Sequence, residues 1–239
     1  MIYNPYPTVE LPFGKDNRYF LDLFDSIIQV DRKYVSYKVE FSKNRYGYVK
    51  HLERVFAYEF YRHWSNKVHQ GNTSLVLNAE INKVINVNKI SCDVLTNTEN
   101  ESPKTEELTL YPDIVLHHSQ SDDTAQILTC EIKRDKNLTG SLILGDIYKI
   151  CCYMTEEKFK DGKNPFKYGV FIVVGDKKLS DIIGMLKDDT KIKCDDGSDI
   201  LYSNFIKCEE FSSSFGRIVC VAYDGITLEY KTFYDMIKD

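Results

Sequence analysis

Two stretches decide the fold: Leu110-Tyr111-Pro112-Asp113-Ile114-Val115-Leu116 and Ile127-Leu128-Thr129-Cys130-Glu131-Ile132-Lys133-Arg134. Side chains alternate faces along a strand. In the second stretch Leu128, Cys130 and Ile132 therefore point one way, into a core, and Thr129, Glu131 and Lys133 point the other. A carboxylate and an ammonium stand side by side at the end of an otherwise apolar strand. The polar segment Ser119 to Thr124 predicts a hairpin between the two stretches, which sets Asp113 across from Glu131.

Working outward, the apolar period changes twice. Before the strands, Phe20, Leu23, Phe24, Ile27 and Ile28 recur at helical spacing within Phe13 to Val30. A stronger helix is predicted over Tyr46 to Lys67, with Val49, Leu52, Phe56, Phe60 and Trp64 on one stripe and Gly71-Asn72 as its stop. Leu75, Leu77, Ala79 and Ile81 alternate as a half-buried strand, and Asn97 to Glu107 reads as an exposed loop. Leu110 to His117 and Ile127 to Lys133 are strands. After them come a helix over Ile143 to Met154, a strand over Gly169 to Val174, a helix over Leu179 to Leu186 and a strand over Ile218 to Tyr223. That order predicts an α/β layered domain of α+β type, a central mixed sheet flanked by helices. No linker divides it, so residues 1–239 read as one domain.

Composition narrows the function classes. Across 239 residues, 43% are hydrophobic, enough for a substantial core, and the formal net charge is −5. Sequence-blind phosphate binding draws on clustered Lys and Arg, so the charge balance counts against a protein wrapped in basic surface. It does not count against an enzyme that gathers carboxylates around a metal. Apolar runs such as Tyr168 to Gly175 are far shorter than the roughly 18 to 20 residues of a membrane span. The start, Met1-Ile2-Tyr3-Asn4-Pro5, does not read as a secretory signal. Seven cysteines without a C-x-x-C pair, Cys151 and Cys152 being adjacent, suggest reduced thiols in a cytoplasmic protein and no zinc site. No Walker loop and no G-x-G-x-x-G follows a strand, so nucleotide-cofactor enzymes are not supported.

The Asp, Glu and Lys suit phosphodiester hydrolysis. Magnesium is a hard cation held by one or two carboxylates, with waters and substrate phosphate completing its octahedron. A bound metal polarises phosphoryl oxygens and lowers the pKa of a coordinated water, and a neighbouring lysine neutralises charge developing in the transition state. The plainer alternative for Glu-x-Lys is a cross-strand ion pair, and Pro-Asp is also a common turn dipeptide.

Pro112-Asp113 followed by Glu131-Ile132-Lys133 resembles the signature of the PD-(D/E)XK nuclease superfamily. The resemblance covers Tyr46 to Val174, with residues 1–45 as a helical extension and 175–239 as an elaboration. It implies a three-layer restriction-endonuclease-like core. It also implies a Mg²⁺-dependent nuclease, with Mn²⁺ as substitute, in which Asp113 and Glu131 hold the metal and Lys133 serves the attacking water. The family commonly adds an acidic residue on a helix ahead of the sheet. Glu53 lies inside the apolar arc of the Tyr46 to Lys67 helix and Glu59 at its margin, and both remain candidates for catalysis and metal binding. Polar residues on the helix after the second strand line the cleft in many members, which points to Asp146, Lys149 and Tyr153; an i,i+3 ion pair explains the first two equally well.

Other residues carry weaker signals. His117 and His118 follow the Asp113 strand, and Glu80 lies on the strand before it. Arg54, Arg62, Lys133, Arg134, Lys136 and Lys149 are expected to converge into a positive rim around the acidic floor, with Arg54, Arg62 and Arg134 binding substrate. The expected partner is nucleic acid, DNA favoured, with no membrane role; a homodimer is compatible with this reading. The competing reading is a catalytically inactive module of the same fold that binds nucleic acid or protein.

Overall fold

Pro112 interrupts the first quoted stretch, because a residue without an N–H cannot donate to a strand ladder, and the strand begins only beyond Asp113. The computed structural model describes residues 11–35, 52–71, 74–79, 83–88, 105–110, 112–118, 126–155, 165–193 and 199–238. In chain order these form α1 (Asn17–Ile28), α2 (Leu52–Gly71), β1 (Leu75–Ala79), β2 (Lys83–Asn88), β3 (Thr105–Leu110), β4 (Ile114–His118) and β5 (Gln126–Arg134). Then come α3 (Gly140–Tyr153), β6 (Tyr168–Val174), α4 (Leu179–Ile183), β7 (Lys191–Lys193) and β8 (Asp199–Leu201). The last elements are α5 (Tyr202–Phe205), α6 (Glu209–Phe215), β9 (Ile218–Tyr223), β10 (Leu228–Thr232) and α7 (Phe233–Met236).

The fold is a mixed α/β architecture around a six-stranded sheet in the order β1-β4-β5-β6-β9-β10. β1, β4 and β5 form an antiparallel meander; β6 and β9 run parallel to β5, and β10 returns antiparallel. Helix α3 makes the crossover from β5 to the parallel β6, as a parallel connection requires. β5 is thus the strand at which the sheet changes from antiparallel to parallel pairing.

Helices cover both faces. On one, α1 places Phe20, Leu23, Phe24 and Ile27, and α2 places Phe56, Phe60, Trp64 and Val68, against Leu128, Cys130 and Ile132 of β5. Phe56, Phe60 and Trp64 are fully buried and stack in series, with ring centroids 6.0 Å and 5.3 Å apart. Burying such side chains contributes about 1.5–3 kcal/mol each. On the other face, α3 packs Ile143, Ile147, Ile150 and Cys151 against Phe171 and Val173, and α5, α6 and α7 add Phe205, Phe211, Phe215 and Phe233 to the same cluster. The Thr139 side chain starts α3 by accepting the Leu142 N–H. Gly169 lets α3 lie close to β6: a Cβ there would run into Ile150 and Met154.

Several expected boundaries change. Leu110 to His117 is not one strand. Its first residue belongs to β3, which pairs with β2 in a separate ribbon, and β4 starts at Ile114. The described end of the expected Asn97 to Glu107 loop is strand, because backbone pairing with β2 does not depend on an alternating apolar face. Helix α2 runs on to Gly71, and α4 ends at Ile183 rather than Leu186. Residues 46–51, Glu80, Ile81 and the Ser119 to Thr124 turn lie outside the described residues. Among the described residues no helix is long and apolar enough to cross a membrane.

Candidate active site

The site begins where a strand is missing. β4 pairs with β5 only as far as Cys130, whereas β6 follows β5 on the other side to Arg134. Two N–H groups on the open edge are taken by carboxylates. Ile132 donates to Asp113 Oδ2 at 2.7 Å, and Arg134 donates to Glu53 Oε2 at 3.2 Å. A buried N–H left unpaired costs about 1–3 kcal/mol, so the strand edge itself fixes these two acids. Asp113 comes from the turn into β4, and Glu53 from the first turn of α2.

Glu131 and Lys133 lie on the α3 face of β5, the face that Val115, two residues on from Asp113, also presents. There the charges form a chain. Lys149 Nζ lies 3.6 Å from Glu131 Oε2 and 2.6 Å from Asp146 Oδ1, and Lys133 Nζ lies 3.3 Å from Asp146 Oδ2. Asp146 and Lys149 share one face of α3 at i, i+3. Glu131 is 1% exposed, and its Oε1 has no hydrogen-bond partner.

These surroundings move the proton affinities. Burial pushes the Glu131 carboxyl up to about 8; Lys149 opposes the shift, while Asp113 and Asp146 add to it. Burial also raises Asp113, against the Ile132 N–H and Lys133, which favour its charge. Burial works against the Lys133 ammonium, but Asp146, Asp113 and Glu131 outweigh it and hold its pKa above the ordinary value. Lys149 behaves likewise through Glu131 and Asp146. Four carboxylates (Glu53, Asp113, Glu131, Asp146) thus meet two ammoniums (Lys133, Lys149), a formal excess of two negative charges. Among the described residues, no three His, Cys, Asp or Glu side chains form a group that could hold a metal ion.

The other expected site residues divide. Glu59 is not brought to the cluster: its carboxylate accepts from Arg62 at 2.7 Å, the i,i+3 pair that helical spacing favours, so neither residue faces the site. Arg134 is turned away from any substrate, because its guanidinium donates to Val35 O at 3.2 Å. Tyr153 is fully buried and cannot touch substrate; its hydroxyl lies within the electrostatic reach of Glu131. Of the expected rim, Arg62 is paired with Glu59, Lys133 and Lys149 are engaged with carboxylates, and Arg134 keeps its charge but is held at the Val35 carbonyl. His117 sits at the far end of β4, with Nε2 2.7 Å from Asn78 Nδ2.

Arg54 does approach the site. It lines an open pocket of about 180 Å³ beside Asp113, together with Glu53, Ala57, Tyr58 and Ile132. The two tyrosines on this wall, Tyr58 and Tyr61, were not singled out by the sequence reading. Their signal was the second stripe of α2: Arg54, Ala57, Tyr58 and Tyr61 recur at i, i+3, i+4 and i+7, next to the Phe56-Phe60-Trp64 stripe. No family model, no curated protein and no solved structure matches the chain.

Proposed function

We propose that the chain is a divalent-metal-dependent nuclease, DNA favoured, with a restriction-endonuclease-like core of the PD-(D/E)XK superfamily. The observation that carries the reading is Glu131: a buried carboxylate with an orphaned oxygen, beside Asp113, in a cluster with two more carboxylates than ammoniums. Burying a carboxylate without a partner is strongly unfavourable, and a hard dication is the natural counterion for such a donor set. The central mixed sheet flanked by helices supports this reading.

Asp113 and Glu131 would hold Mg²⁺ or Mn²⁺ as a pair of carboxylates, with water and substrate oxygens as the other ligands, while Glu53 stays on the Arg134 N–H, outside that pair. The ion would supply phosphoryl polarisation and a more acidic bound water. This chain's own residues do the rest. The Ile132 N–H holds Asp113 in place through Oδ2, leaving Oδ1 for the site. Lys133, kept protonated by its carboxylate neighbours, orients the attacking water and offsets the negative charge on the phosphoryl oxygens in the transition state. Asp146 holds Lys133 and Lys149 in position.

The test is cleavage of labelled single-stranded and duplex DNA by purified protein, with Mg²⁺ or Mn²⁺ and with EDTA. The reading expects metal-dependent cleavage that Asp113→Asn and Glu131→Gln both abolish. Cleavage that persists in EDTA, or survives both substitutions, refutes it. The second reading, a non-catalytic module, draws on the ion pairs that already engage both lysines and on the absence, among the described residues, of a three-acid group. Binding of nucleic acid without cleavage in any metal favours it.

A further inference from the structure

The second stripe of α2 forms one wall of a pocket that the proposed chemistry leaves unused. Ala57 and Ala79, both small, line it together with Arg54, Tyr58, Tyr61, Glu53 and Asp113. Tyr61 is fixed, since its hydroxyl donates to Leu77 O at 2.9 Å. Tyr58 is 61% exposed, an unusual position for an aromatic ring at the lip of a pocket. At about 180 Å³ the space is below the roughly 300–1,000 Å³ of drug-sized ligand sites, which suits one ring system.

We infer that this pocket takes an unstacked nucleobase, and that the substrate is therefore a single-stranded or locally opened strand rather than an intact duplex. The inference rests on the nuclease reading of Asp113. Three features select the base over other parts of a strand. Tyr58 offers a π face, on which any base stacks. Glu53, whose Oε2 accepts the Arg134 N–H, keeps a second oxygen that can accept hydrogen bonds from the exocyclic amino groups of adenine, cytosine or guanine, which a phosphate does not offer. Arg54, on the same wall, is placed to meet the backbone phosphate that remains outside. A base held here lies beside Asp113, so its adjoining phosphodiester is brought to the candidate metal ligand.

The experiment measures fluorescence anisotropy of short labelled oligonucleotides in EDTA, where no cleavage intervenes. The probes are a single-stranded DNA, the RNA of the same sequence, the blunt duplex and an abasic strand of equal length. Stacking on one aromatic side chain predicts that Tyr58→Ala weakens single-strand binding roughly 5- to 150-fold, and that Tyr58→Phe restores it. Ala57→Leu, which fills the pocket, acts like Tyr58→Ala. On the abasic strand, Tyr58→Ala has no further effect. Tyr58-dependent binding of either the DNA or the RNA strand supports the pocket. Tyr58→Ala affinity within about 2-fold of the parent overturns it, as does a parent that prefers the blunt duplex. The two proposals fail separately: Tyr58-dependent binding without metal-dependent cleavage sinks only the nuclease reading, and Tyr58-independent cleavage sinks only the pocket.

Discussion

Replacing Glu131 by glutamine isolates the cost of burying its charge. Burial shifts the carboxyl from 4.5 to about 8 in the fold, so the folded state prefers the protonated acid. The stability of the parent is full below 4.5 and falls as the pH rises through 8. Each unit is worth about 1.4 kcal/mol. The raised proton affinity of Glu131 therefore costs the fold about 1 kcal/mol near about pH 5, where only the unfolded chain is ionised, and about 5 kcal/mol near about pH 8.5. The groups facing it, Asp113, Asp146, Lys133 and Lys149, remain in both proteins. The new amide adds an offset of about 1–3 kcal/mol if its N–H finds no acceptor, but this offset does not vary with pH. Urea denaturation of both proteins in EDTA should show Glu131→Gln gaining on the parent by about 4 kcal/mol between these two pH values. Parallel stability profiles would refute the account of Glu131 as a buried, under-compensated acid.

Three further outcomes follow from the same geometry. Lys133→Ala should lower cleavage by roughly 10²- to 10³-fold, as loss of one transition-state charge partner does, while anisotropy shows oligonucleotide binding within a few fold of the parent. Arg54→Ala should weaken oligonucleotide binding and reduce its log–log salt slope by about 1, whereas Arg62→Ala, already paired with Glu59, should leave both unchanged. Gly169→Ala forces a methyl into Ile150 and should destabilise the protein by about 1–3 kcal/mol, read by urea denaturation.

The second quoted stretch was legible because burial acts on both faces of β5 at once. Leu128, Cys130 and Ile132 meet α1 and α2, and Glu131 meets α3, as period-two alternation requires. Its partner was less so. Pro112 marked a turn, but nothing local shows that Leu110 leaves for a separate ribbon with β2. β10 did carry a signal, since Leu228, Tyr230 and Thr232 alternate with polar residues, and the run is short and only half-buried. At the site, the helical wheel separates Glu53 from Glu59 only weakly. The deciding factor is the open N–H of Arg134, which Glu53 reaches from far along the chain. Arg134 and Tyr153 were misplaced for a similar reason. A spacing rule gives the face of an element, and depth in the fold then decides whether that face sees solvent.

The shortfall of β4 sets stability and chemistry in competition for the same two donors. If β4 began two residues earlier, position 112 would fall opposite Ile132 and a carbonyl could take the N–H that Asp113 now holds. Such a change, for example Pro112→Val with a repacked turn, would lengthen the ladder and firm up the sheet. It would also release the Asp113 carboxylate from its anchor and close the edge on which the acids meet. On the proposed reading, a more regular sheet would then be a poorer nuclease, and selection for robustness alone would tend to erase the site. The proline guards the opening by denying the strand its easiest extension.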